Sequence, residues 1–472
     1  MRYRAVTLLV AVCACAQNRL QPGIEPFRAF SEQTVALLHV RVIDGTGTAE
    51  RPDQAVVIAR GKIAAVGPAS SVTVPAGARK LDLSGYTVLP GLIGMHEHLF
   101  YPAGGGLPLY NEQAFSAPRL YLASGITSMR TTGSLEPYTD LNIKRLIDAG
   151  KMPGPKMDIT GPYIEGPGGY SIQMPVVRSP EDARKLVEYW IHEGATSFKA
   201  YMDISHDALA EAIRTAHEHK LKITGHLCSV GFTEAAEMGI DDLEHGLLVD
   251  TEFDPGKRRD VCPSQIDTLE TIEKLDLKSA PVQKMIHTLI DRHVAITSTL
   301  AVFEAFIPGR PPLEQRMLDA MSMEAAKNYL AAKERTSANP KQRAERWLKQ
   351  EMAFEREFAA AGGLLLAGCD PTGNGGALPG FGDQRNLELL VEAGFKPEEA
   401  VRIYSYNAAL YEGKADELGT VAAGKTADLL VVKGDPAARI HDVENVEYVF
   451  KDGVAYDPAK LIASVRGAVG VH

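Results

Sequence analysis

Apolar and polar positions alternate over residues 35–89. TVALLHVRVIDG, QAVVIARGKIAAVG and KLDLSGYTVLP read as short strands broken by Gly, Pro and Asp. The same texture returns in ADLLVVKGD and VEYVFKDGVAY. Two strand-rich ends around a different middle predict one β-sandwich domain, built from residues 35–89 and 412–460. Between them, over 90–411, the period changes. Apolar runs at 87–95, 126–130, 156–163, 196–200, 222–226, 240–244, 294–300 and 364–369 alternate with helical stretches. In SPEDARKLVEYWIHEGA, Ser179 is placed to cap, Pro180 suits the first helical position, and Glu181 and Asp182 suit the positive end of the dipole. Leu186, Val187 and Trp190 then share one face. Alternation of this kind over about 320 residues predicts an α/β fold, a (β/α)8 TIM barrel. A doubly wound open sheet is the alternative, but no Gly-x-Gly-x-x-Gly follows the first strand. Residues 308–360 read as a long helical excursion before strand 8.

Composition narrows the class. Of 472 residues, 45% are hydrophobic and 23% charged, which excludes a disordered chain. Lys plus Arg number 50 against 60 Asp plus Glu, a net charge of −10 that argues against nucleic acid as a partner. Arg2 and Arg4, the apolar run from Ala5 to Val12 and the Ala14-Cys15-Ala16 step predict a signal peptide over 1–16 and hence an exported, periplasmic or secreted protein. Val12-Cys13-Ala14-Cys15 also resembles a bacterial lipobox, so a lipid anchor at Cys15 is the other form of export. No later stretch has the unbroken apolar length of a transmembrane helix. Cys228, Cys262 and Cys369 are too few and too scattered for a disulfide framework, and Cys228 and Cys369 read as small apolar packing residues.

The chemistry stands at the ends of the runs, where barrel enzymes place their sites. The first run ends in GLIGMHEHL, and His96 and His98, two residues apart, point to one side of an extended chain. Two imidazoles on one side can grip a divalent metal. TSFKAYMD sets Lys199 in an apolar strand; KITGHLC ends in His226, DDLEHG in His245 and LLLAGCDPTG in Asp370. Singly, each has an ordinary structural role: a satisfied polar group, a lysine reaching water, a turn before Pro. Packing gives no reason to collect all six at the same end of the strands.

From about residue 35 to 456 the chain resembles the amidohydrolase superfamily, and more narrowly the amidohydrolases related to prolidases and imidazolonepropionase. PGLIGMHEHL is similar to the strand-1 motif, with His96 and His98 as metal ligands. Lys199 in SFKAY matches a lysine that becomes carboxylated and bridges two metals; His226, His245 and Asp370 match the strand-5, strand-6 and strand-8 ligands. YNAALYEGKADELGTVAAGKTADLLVV resembles the segment leading back into the β-sandwich. The resemblance implies two divalent ions, with zinc suited to the mixed nitrogen and oxygen donors. His96, His98 and Asp370 would hold one, His226 and His245 the other, and carboxylated Lys199 would bridge them. A free lysine is a cation without an acceptor, whereas its carbamate is an anionic oxygen donor. Metal contact brings the pKa of water toward about 7, and the bridging hydroxide then attacks a carbonyl while Asp370 acts as catalytic base and then acid.

The implied function is hydrolysis of a C–N amide or peptide bond in a small-molecule substrate. A prolidase-like dipeptidase or carboxypeptidase, or an N-acyl amino acid hydrolase, fits that description. Alternatives are an ester, lactone or phosphotriester hydrolase on the same binuclear site, and a metal-binding protein without catalysis. Two positions depart from the family pattern. Arg130-Thr131 stands where relatives carry Arg-Asp, and Ser229 stands where deaminases carry Glu after the strand-5 His; the second argues for amide or ester hydrolysis. For the substrate, Tyr201 is placed to donate to an oxyanion or a carboxylate. Arg130 either clamps a carboxylate or forms an internal ion pair. Tyr163, in GPYIEGPGG, is expected to line the mouth. His192, His206, His217 and His219 read as surface residues of helices. Relatives commonly form homo-oligomers.

Overall fold

The computed structural model describes residues 23–103, 109–169, 171–339, 343–373 and 375–471. The expected leader and Cys15 lie outside the described residues. In chain order the strands are β1 (Thr34–Val42), β2 (Arg51–Ala59), β3 (Lys62–Pro68), β4 (Arg79–Asp82), β5 (Tyr86–Pro90), β6 (Leu92–Glu97), β7 (Phe100–Ala103), β8 (Leu109–Glu112), β9 (Ile126–Thr131), β10 (Lys156–Ile159), β11 (Ser197–Ala200), β12 (Lys222–Gly225), β13 (Asp242–Glu244), β14 (Ala295–Ser298), β15 (Leu365–Ala367), β16 (Leu429–Lys433), β17 (Val446–Lys451) and β18 (Val454–Tyr456).

The two ends of the chain meet in one sheet, ordered β18-β17-β16-β5-β1-β2-β3 with β4 branching from β1. The expected sandwich takes the form of this forked sheet. One edge of β1 pairs with β2; the other pairs with β4 over Val35–Leu38 and with β5 at Arg41–Val42. Its apolar face encloses Val35, Leu37, Val56, Ile58, Val88, Leu429, Val431 and Phe450. Gly91 divides the run at 87–95 between two sheets: β5 pairs with β16, and β6 pairs with β9. A Cβ at Gly91 would lie 2.2 Å from Thr127 Oγ1, so the crossing point has room only for glycine.

The middle of the chain supplies eight parallel strands in sequence order, as β6-β9-β10 and β11 through β15. Parallel bridges Thr160–Ser197 and Ile164–Ala200 join the two groups. Beyond β15, Asp370 N–H donates to His96 O on β6 at 3.0 Å. Helices follow the strands, and they begin where the sequence signals them. Ser179 Oγ accepts Asp182 N–H at the head of Pro180–Glu193, and Ser205 Oγ accepts Ala208 N–H at the head of His206–Glu218. The 308–360 excursion contains helices Gln315–Ala320, Met323–Ser337 and Ala344–Ala360. Outward-facing strand residues such as Leu92, Ile126, Phe198 and Ile296 pack on the helices. Among the described residues, no helix is long and apolar enough to cross a membrane.

Candidate metal centre

All six predicted ligands stand at the C-terminal ends of the parallel strands, and the structure brings them together. His96 Nε2 lies 3.1 Å from Lys199 Nζ and 3.6 Å from Asp370 Oδ1. His98 Nε2 is 3.1 Å from the same oxygen, and His245 Nδ1 is 3.8 Å from Asp370 Oδ2. The His245 ring lies 4.4 Å from that of His226 and 4.6 Å from that of His96. Donor atoms of His96, His245 and Asp370 fall within 4.8 Å of one another, the spacing of a shared cation. His226 is half-buried; the other five are buried.

Burial sets the protonation states. It pushes the imidazoles of His96 and His245 well below their usual range, lowers His98, and brings His226 down to about 3, so all four are neutral donors. It lowers Lys199 to about 8, against the opposing pull of Glu244 and Asp370. Burial acts in the other direction on Asp370, but the imidazoles of His96 and His98, which acid would protonate against it, and the Lys199 ammonium hold its carboxyl below the usual carboxylate range.

The donor set fits a metal. Arg130 Nη2 and Thr224 Oγ1 donate to Glu244 Oε1, which marks Glu244 as a carboxylate; His96 Nδ1–H therefore donates to its Oε2 at 2.6 Å. The Nε2 lone pair of His96 meets the Lys199 amine at 3.1 Å and stands 3.6 Å from Asp370 Oδ1, a buried oxygen without a hydrogen bond. With Lys199 as a carbamate, the His96 lone pair, the carbamate and Asp370 would all be acceptors facing one another, an arrangement that a cation between them satisfies.

Two candidate ligands sit on unusual backbone. His245 has φ 69° and Asp370 φ 49°, the left-handed region that residues with a Cβ enter at a cost. Such conformations gather at functional sites, where surrounding structure enforces them.

The substrate-facing predictions divide. Tyr163 and Tyr201 are buried with rings 4.8 Å apart, and Tyr201 is 4.9 Å from His226. Lys199 Nζ lies 5.5 Å and 5.7 Å from these two rings. With Phe100, Leu135 and Met174 they form one apolar wall, and Phe100 stacks on His98 at 4.5 Å. Arg130 is not a substrate clamp. It is 2% exposed, with Nη2 2.6 Å from Asp242 and 3.0 Å from Glu244, and Nε donating to Met95 O. The internal ion pair is the alternative the structure adopts, and it orients His96 through Glu244.

Glu244, Asp242, Thr224 and Thr299 escaped the sequence reading. Their signal was present: Asp242 and Glu244 alternate within a buried strand, and buried carboxylates require a cation, here Arg130. Thr299 Oγ1 meets His245 Nδ1 at 2.7 Å. Two other expectations need correction. Cys228 is bonded to Cys262, across 34 residues, in place of packing as a free thiol; Cys369 is buried and free. His206 is buried at 3% exposure, with Asp260 2.7 Å and Glu234 3.0 Å from its two nitrogens; a polar lock replaces the expected surface position.

The profile of the Amidohydrolase family matches residues 87–455. The chain belongs to the amidohydrolase family. An allantoinase of Streptomyces avermitilis is 39% identical over 126 residues, 26% of each chain, so the match spans about a quarter of that relative's length. Among solved structures, a putative prolidase from Bifidobacterium longum superposes with a TM-score of 0.64 at 23% identity, covering 90% of this chain and 94% of that one. A Xaa-Pro dipeptidase with bound methionine in its active site gives 0.67 at 20% identity, covering 90% and 100%. At these identities the structural matches establish the shared fold.

Proposed function

We propose that this amidohydrolase is a binuclear metal enzyme that hydrolyses a C–N amide or peptide bond in a small substrate. We further propose that its eight parallel strands close into a barrel around the site. The observation that carries the reading is the convergence of four neutral imidazoles, Lys199 and Asp370, all but His226 buried, at one end of the strands.

In this reading His96, His98 and Asp370 would hold one divalent ion and His226 and His245 the other, and Lys199, as its carbamate, would serve both. Lys199, lowered to about 8, has a larger neutral fraction than an exposed lysine, and the neutral amine is the form that takes up carbon dioxide. The metals, when bound, supply Lewis acidity and a water ionised near neutrality. Asp370 Oδ accepts the proton of the attacking water and returns it to the leaving nitrogen. Glu244 keeps the His96 Nδ1 proton in place, so Nε2 stays available as a donor. Tyr201 and Tyr163 wall the site, and the Tyr201 hydroxyl polarises the substrate carbonyl.

Export to an oxidising compartment belongs to the same proposal. The leader composition and the Cys228–Cys262 disulfide support it. Mass spectrometry of the mature N-terminus tests it and separates a lipid-modified Cys15 from simple cleavage.

The functional test is metal analysis of the purified protein beside a panel of Xaa-Pro and Xaa-Arg dipeptides and N-acyl amino acids. Allantoin is added because of the name of the Streptomyces relative, with aryl esters and a phosphotriester as the competing class. Two metal equivalents and preferential amide cleavage support the proposal. Two equivalents with turnover of esters or phosphotriesters alone overturn its amide part. Full metal content with no hydrolysis would overturn catalysis itself.

A further inference from the structure

The turn carrying His245 has two left-handed residues in succession, His245 at φ 69° and Gly246 at φ 64°. It leads from β13 into a single turn of 3₁₀-helix, Gly246–Val249. A start of this kind leaves successive backbone N–H groups without acceptors inside the helix, and such groups form a concavity suited to an anion. Here a side chain from a distant part of the sequence fills it. Glu351, on helix Ala344–Ala360 of the excursion, accepts Leu248 N–H on Oε2 at 2.9 Å, and Leu247 N–H also serves its carboxyl. Its other oxygen stands 1.9 Å from where a Cβ on Gly246 would lie. Glu351 is 1% exposed. The opposite side of the turn is held to β14, where His245 N–H donates to Thr297 O at 3.0 Å. The turn is thus held at both ends, at His245 by Thr297 and at Leu247 and Leu248 by a buried carboxyl that the proposed reaction does not use.

We propose that Glu351 is a positioning residue for His245. By filling the N–H concavity it holds the left-handed turn, and the turn fixes the direction from which the His245 imidazole approaches the metals. The inference rests on the binuclear reading above and adds to it a role for the excursion helix, which carries none of the ligands.

The test compares Glu351→Ala, Glu351→Asp and Glu351→Gln with the parent protein. Each is loaded with Co²⁺; readouts are the equivalents bound, affinity by chelator competition, the visible Co²⁺ spectrum and thermal unfolding of the metal-free form. Asp keeps the carboxyl but is one methylene short of Leu248 N–H, so it probes the contact if the Ala variant fails to fold. Gln keeps an acceptor oxygen at full length. The account expects Ala and Asp to bind one of the two ions about 10–100-fold more weakly with an altered spectrum, and Gln to restore most of both. A purely structural role would lower the unfolding temperature of the metal-free form and leave affinity and spectrum unchanged, which overturns the inference. A parent protein that binds no metal removes the binuclear reading and this inference together. A parent that binds two ions beside unchanged Ala and Asp variants removes the inference alone.

Discussion

The two ends of the eight parallel strands solve opposite electrostatic problems. At the N-terminal ends a cavity of about 530 Å³ opens toward the mixed sheet, lined by Ile93, Met95, Ser128 and a set of lysines and carboxylates. Its lysines are paired: Lys156 lies 2.5 Å from Asp428 and 2.8 Å from Asp452, Lys144 is 2.8 Å from Asp148, and Lys414 is 3.3 Å from Glu412. At the C-terminal ends neutral nitrogens crowd a carboxylate that takes no hydrogen bond on one oxygen. The comparison teaches that open volume marks the wrong end of this molecule. The end that gathers imidazoles around a buried carboxylate is the one whose residues have the spacing of a shared cation.

Substitution at each end sharpens the contrast. Lys199→Ala should lower turnover at least about a thousandfold, the scale of losing a metal's contribution to the transition state, and should lower metal content with it. Steady-state kinetics beside metal analysis checks this, and partial rescue by short carboxylic acids would place the lost function in the bridging oxygens. Glu244→Ala should weaken metal affinity about 10–100-fold, read by chelator competition, because the His96 ring loses the acceptor that fixes it. At the far end, Lys156→Met should leave kcat and metal content unchanged while costing about 1–3 kcal/mol in urea unfolding, since Asp428 stays buried without its cation. Equal loss of turnover from Lys156→Met and Lys199→Ala would break the comparison.

The smallest expected effect is a pH dependence beside the site. Glu112 on β8 and Asp140 on helix Pro137–Asp148 face each other, and burial holds Asp140 up at about 6. The folded state therefore keeps a proton that the unfolded state releases near pH 4. Its contribution to stability is full below about pH 4 and is lost as pH rises through about 6. Asp140→Asn should flatten this part of the profile, measured by urea unfolding between pH 4 and 8. A slope identical to the parent's would assign the dependence to other groups.

Much of this arrangement was legible in the sequence because strand and helix periods differ and because ligands sit where strands stop. His96 and His98 announce themselves by two-residue spacing, and Ser179 marks a helix start that the structure keeps. The missed features share a cause: each depends on a partner far away in sequence. Glu351 meets Leu248 across 103 residues, and Glu244 meets His96 across 148. Cys228 and Cys262 bond across 34 residues, a pairing that a count of three cysteines does not reveal. Gly91 looked like part of one apolar run, yet it divides two sheets, because run length carries no information on which sheet a strand joins. Arg130 showed only its charge; its carboxylate partners lie 112 and 114 residues away.

Anomalous diffraction from crystals grown with Zn²⁺, recorded on both sides of the zinc absorption edge, is the most direct test of the central claim. The account predicts two peaks within coordinating distance of His96, His98, His226, His245 and Asp370, bridged by density extending from Lys199 Nζ. An edge-dependent map with no peak among these side chains, from protein that turns over substrate, would contradict it.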